Sequence, residues 1–178
     1  MTNFDIYFPE IDYSFQMVFV KGTGDKTYLF GDGEKVNIFI KDFFISKYPI
    51  TQQVWKYVTG SNPSHFIGLQ RPVECVSFNE ITQMNGFLDK LNAMADMKYQ
   101  PGTKLKFRLP SETEWEYAAR GGEHWEDNFQ FSGSNNMNDV GWYDQNSGKY
   151  NDPEILAKLK NHEKGTTTHD VGQKQANQ

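Results

Sequence analysis

The chain has 178 residues, a formal net charge of −5 and a pI near 5.4; that length fits one domain, and the acidic balance excludes the basic face that nucleic acid requires. Aromatic residues make up 15%, with 14 Phe, 9 Tyr and 4 Trp, against a mean hydropathy of −0.72, so the composition points to a core of large rings wrapped in polar loop and excludes a helical repeat or solenoid. A single cysteine, Cys75, excludes an intrachain disulfide and leaves the redox compartment open. No run approaches the ~20 apolar residues of a membrane span, and Met1–Tyr13 lacks the basic start and apolar stretch of a signal peptide, so the default location is cytoplasmic.

In chain order, residues 1–14 read as an extended lead-in interrupted by Pro9. Phe15–Lys21 is apolar and β-branched enough for a strand. Glycines 22, 24, 31 and 33 punctuate turns around a short strand at Tyr28–Phe30. Val36, Ile38 and Ile40 alternate with Asn37, Phe39 and Lys41 as in a half-buried strand, and Phe43–Tyr48 is a further strand ended by Pro49. Thr51 is the N-cap of a helix whose Val54, Trp55 and Val58 share a face, with Gly60 as its stop. Ser77 and Glu80 form a capping box that opens the longest helix, with Ile81, Met84, Leu88, Leu91 and Ala95 on its core face. A turn at Pro101-Gly102 leads to a strand at Leu105–Leu109. Ser111 and Glu114 form a second capping box; Trp115, Ala118 and Ala119 then give a narrow apolar face on which the helix buries through its tryptophan, and Gly121-Gly122 end it. Trp125–Ser147 is a long loop region in which Trp142-Tyr143 read as buried anchors. Asp152-Pro153 start a short helix with Ile155, Leu156 and Leu159 on one side, and residues 160–178 read as a polar, mobile end.

The wording around the second capping box carries more than helix physics. Phe107-Arg-Leu-Pro-Ser-Glu-Thr-Glu-Trp-Glu-Tyr-Ala-Ala-Arg-Gly-Gly122 closely resembles the signature of the formylglycine-generating (sulfatase-modifying factor) family. Lys47-Tyr-Pro-Ile-Thr-Gln-Gln-Val-Trp55, Gly60-Ser-Asn-Pro-Ser-His-Phe66 and Pro72-Val-Glu-Cys-Val-Ser-Phe78 resemble further segments of it, and Phe131-Ser-Gly-Ser134, Val140-Gly-Trp-Tyr143 and Val171-Gly-Gln-Lys174 follow in the family's order. The resemblance covers about Phe15 to Lys174. It implies an α+β, C-type-lectin-like fold, loop-rich, in one domain over 1–178. The family pattern continues past Asn177-Gln178 into segments that carry its catalytic cysteines, so the expectation is a domain incomplete at its C-terminal end.

Family enzymes oxidise a substrate cysteine with copper held by two cysteine thiolates, as the resemblance implies, and soft thiolates suit Cu(I). One cysteine cannot build that site, so no copper site is expected in this chain and no catalytic residue is assigned. Cys75, between Val73 and Val76, reads as a buried structural thiol. His65, His124, His162 and His169 show no i, i+4 pairing and read as surface residues. Asp139 and the carbonyl of Val140 offer hard oxygen donors suited to Ca²⁺, and the resemblance implies a structural calcium in this part of the fold; the same residues suit an Asx turn, and both readings stand. The functional expectation is a non-catalytic binding or display module for a protein or peptide ligand, with no nucleic-acid or membrane partner. A homodimer through an uncovered strand edge is a further expectation. The alternative is the N-terminal part of a copper-dependent oxidoreductase that converts a sulfatase cysteine to formylglycine.

Overall fold

A computed structural model describes residues 1–31, 34–98, 105–148 and 166–177. The helix expected from Asp152-Pro153 and the turn at Pro101-Gly102 lie outside the described residues. Two compact units emerge, each assembled from separated stretches of chain: residues 1–48, 110–146 and 172–178 form the first, and residues 49–109 and 147–171 the second.

In the first unit, β1 (Phe4–Phe8), β2 (Tyr13–Val20) and β5 (Phe43–Ser46) form an antiparallel sheet in the order β1-β2-β5. The lead-in is thus a strand over Phe4–Phe8, paired to β2 from Phe4↔Met17 to Phe8↔Tyr13. Pro9 does not interrupt it but opens the short 3-10 turn that reverses the chain. A second, two-stranded sheet pairs β3 (Tyr28–Phe30) with β4 (Val36–Ile38). Its anchor is Ile40, whose backbone exchanges hydrogen bonds with Thr23; a Cβ on Gly22 would collide with the Ile40 carbonyl, so only glycine fits there.

The signature helix α4 (Glu112–Ala119) has its capping box as read: Ser111 Oγ accepts from Glu114 N–H, and Glu114 Oε2 accepts from Ser111 N–H at 2.8 Å. The residue that it buries is not the one expected. Trp115 is 60% exposed, whereas Tyr117 is 1% exposed. Tyr117 packs with Tyr28, Ile40 and Phe43, stands edge-on to the Tyr28 ring at 5.3 Å and donates its hydroxyl to Lys21 O at 3.1 Å. A tyrosine with its hydroxyl satisfied buries as well as a hydrophobe of its size. Tyr28 in turn meets Trp125 edge-on and donates to Glu116 Oε1 at 2.6 Å; burial first, then that carboxylate, push its phenol above the ordinary range.

In the second unit, α1 (Gln52–Thr59) follows its sequence closely. Thr51 caps Val54 N–H, Val54, Trp55 and Val58 are buried, and Gly60 closes the helix with φ of 87°. The long helix expected after Ser77 is instead two. The capping box is present, but α2 (Phe78–Thr82) ends after five residues and α3 (Phe87–Lys98) starts afresh. Asn85 between them has φ of 62°, outside the helical region, and its N–H is taken by Asp89 Oδ2 at 2.9 Å. The break frees Met84, which is 84% exposed, and leaves Phe87, Leu91 and Ala95 as the buried stripe. Trp55 stacks flat on Phe87 at 4.8 Å, joining α3 to α1. Leu105–Leu109 is not a strand: the N–H and carbonyl of Phe107 pair with the two ends of the Asn92 side-chain amide, at 2.7 and 3.0 Å, where a strand would offer them to a neighbour.

Candidate functional site

The first unit carries a cleft of about 680 Å³. One wall is the face of β2 and β5 that presents Val18, Val20 and Ile45; the opposite wall is α4, with Trp115; residues 172–177 run along it as a strap bearing Lys174 and Asn177. The strap is pinned at several points. Asn177 Nδ2 donates to Ala118 O at 2.7 Å, Gln175 N–H donates to Asp139 O at 3.0 Å, and Lys174 donates to Asn138 O while its ammonium lies 4.1 Å from the centre of the Trp142 ring. Trp142, expected as a buried anchor, is exposed and serves as the platform for that cation.

Asp139 and Val140, expected as calcium ligands, fall in the short helix α5 (Met137–Val140), and Val140 lines the cleft. The Asp139 carboxylate accepts from Ser134 Oγ at 3.1 Å and from Asn136 Nδ2 at 3.0 Å. Its oxygens therefore hold their own turn together, and the Lys174 ammonium already supplies a positive charge on the adjacent carbonyl.

The second unit holds a site that the sequence left unread. Gln52 is 0% exposed and uses all of its amide: Nε2 donates to Phe66 O and Pro72 O, and Oε1 accepts from Asn62 Nδ2 and Gly68 N–H, all within 2.9–3.3 Å. One buried side chain thus folds the loop of residues 60–73 back on α1. The loop repays the helix, since Arg71 O and Leu69 O accept the Gln52 and Gln53 N–H groups that a helix start leaves orphaned. Arg71 extends the structure by donating to Thr167 Oγ1 at 2.9 Å and facing Asp170.

That loop brings His65 back to Glu74-Cys75. Cys75 is exposed, not buried, and its backbone has φ of 59°. A non-glycine residue in the left-handed region carries a strain of order 1–3 kcal/mol, and here that backbone carries an exposed thiol. Cys75 Sγ donates to Glu74 Oε2 at 2.9 Å and lies 3.5 Å from His65 Nδ1. Glu74 is fixed from behind, because its Oε1 accepts Phe66 N–H at 2.8 Å and its own N–H donates to the buried Ser64 Oγ. The Glu74 hydrogen bond, with some desolvation, pushes the Cys75 thiol above its usual range. His65, Glu74 and Cys75 are the one group among the described residues whose side chains could jointly hold a metal ion, with ligand atoms all within 4.8 Å of one another. The only sequence hint was the adjacency of Glu74 and Cys75, with His65 across a loop closed by Gln52.

Comparison with known proteins agrees with this architecture. A family model for the sulfatase-modifying factor enzyme 1-like domain matches residues 14–178. Chaperone protein LppX of Paenibacillus barcinonensis is 36% identical over 156 residues, which cover 75% of this chain and 55% of that protein; the chain spans about half the length of this curated relative. Among solved structures, Treponema denticola variable protein 1 superposes with a TM-score of 0.71 at 21% identity, covering 99% of this chain and 71% of that one. The crystal structure of CarF is more distant, with a TM-score of 0.54 at 21% identity over 90% of this chain and 73% of that one.

Proposed function

The chain belongs to the sulfatase-modifying factor family, with that family's α+β, C-type-lectin-like fold, and from that premise we propose that these residues serve as a non-catalytic module binding a protein or peptide segment in the cleft of the first unit. The observation that carries the reading is that no cysteine lines the cleft, while the chain's one thiol belongs to the second unit. The family's copper needs two thiolates, and the residues present do not fit it. What the cleft does offer is an apolar sheet face, an exposed indole and a pinned polar strap, which suit an extended segment with one apolar side: aromatic surface supplies contact area at low entropic cost, and the polar rim fixes register. A structural calcium on Asp139 and the Val140 carbonyl remains a secondary proposal, which melting curves in calcium against chelator decide.

Family membership favours a second reading, in which these residues form part of a copper-dependent oxidoreductase acting on a sulfatase cysteine and the thiolates come from other residues. One experiment separates the two. The purified chain is incubated with a cysteine-bearing sulfatase peptide, with and without copper, and aldehyde is measured by mass. No conversion is expected; conversion above background overturns the non-catalytic reading. The binding half is tested by panning a random peptide library on the chain and on Trp115→Ala. Selected peptides should lose binding to the variant, and retention by the variant would remove the cleft from the proposal.

A further inference from the structure

Independently of the cleft, we propose that His65, Glu74 and Cys75 form a binding site for one divalent transition-metal ion, with zinc as the preferred ion. The donor set is one thiol, one imidazole and one carboxylate, the mixed S/N/O chemistry that zinc takes and that calcium and magnesium do not. The spacing suits it. With bonds of about 2.3 Å to sulfur and about 2.0 Å to nitrogen or oxygen, two ligand atoms on a tetrahedral zinc lie about 3.5 Å apart. Cys75 Sγ and His65 Nδ1 already stand at 3.5 Å. Cys75 Sγ and Glu74 Oε2 are at 2.9 Å because a proton joins them; replacing that proton by a cation asks for an opening of about 0.6 Å.

Two features hold the ligands in place without the metal. Glu74 is locked by Phe66 N–H on its other oxygen, so Oε2 remains directed at the thiol, the kind of outer hydrogen bond that orients metal ligands. The loop carrying His65 is fixed by the fully bonded, buried Gln52. The left-handed backbone at Cys75 is otherwise a strain with no packing return, since the side chain that it positions is exposed. His65 and Cys75 both face solvent. Three protein ligands on a surface leave the fourth position to water or to a donor from another molecule, the open arrangement that distinguishes reactive or bridging zinc from closed structural zinc.

The test uses the full chain, reduced and metal-free, titrated with Zn²⁺ against a chromophoric chelator and separately with Co²⁺. One zinc per chain is expected, and cobalt should develop a thiolate charge-transfer band. His65→Ala is the main variant, because its exposed ring touches the site and its removal leaves the buried Gln52 bonds in place; Cys75→Ser and Glu74→Gln complete the set. Affinity should fall on the order of 100-fold in His65→Ala and Cys75→Ser, given that losing even an outer partner costs roughly 10–100-fold. Circular dichroism confirms that each variant is folded. Zinc should also slow alkylation of Cys75 in the wild-type chain and not in His65→Ala. Equal zinc affinity in wild type and variants, binding without the cobalt–thiolate band, or alkylation untouched by zinc would each overturn the proposal and assign any bound metal to other histidines.

Discussion

Tyr117 and Trp115 sit two positions apart on one helix and have exchanged the roles that their sizes suggest. The tyrosine fills the centre of the first unit's aromatic cluster and spends its hydroxyl on Lys21 O; the tryptophan faces the cleft. Tyr117→Ala should therefore cost about 3–5 kcal/mol, the range for emptying a large aromatic from a core. Trp115→Ala, at an exposed position away from packing, should stay within about 0.5 kcal/mol. Paired chemical denaturation curves measure both, and equal midpoints would show that the core does not rest on Tyr117.

Elements were legible where their ends are written locally. The caps of α1 and α4, the capping box of α2 and the strands over β2, β3 and β5 each follow from a few adjacent residues. What escaped reading depends on partners far along the chain. The continuous apolar spacing from Ile81 to Ala95 could not reveal the break at Asn85, which Asp89 stabilises from the next helix. The apolar run Leu105–Leu109 looked like a strand because nothing local says that Asn92 will claim the backbone of Phe107. Cys75 looked buried among valines until the 60–73 loop closed around Gln52. That loop supplies the sharpest test at this scale: Gln52→Ala leaves four polar groups without their partner in a part-buried setting, at about 1–3 kcal/mol for each group that water cannot reach. A loss of at least ~2 kcal/mol is expected, with protease nicking between residues 60 and 73, and unchanged thermal unfolding would show that the loop is held by other contacts.

On the scale of the whole molecule, both units are assembled from segments far apart in sequence, so folding must close long loops before either core is complete, which slows it relative to a helical bundle. The sheet of the first unit has β1 and β5 as its two edges. Edge strands are templates for pairing, and we propose that two copies associate along one of them. Sedimentation across a concentration series should then show a dimer growing with concentration; a monomer throughout would dismiss edge pairing. Among the described residues no helix is long and apolar enough to cross a membrane.

The exposure of Trp115 has an optical consequence. Of the four tryptophans, Trp55 is buried and Trp125 partly buried, while Trp115 borders the cleft and Trp142 lies under the Lys174 ammonium of the strap. Indole emission shifts to the blue when water leaves the ring, and a cation over the ring alters its yield. A segment entering the cleft would dry Trp115, and any displacement of the strap would carry Lys174 away from Trp142. Two of the four indoles thus report different events, Trp115 on cleft occupancy and Trp142 on strap position, readable without a label and separable by single Trp→Phe replacements.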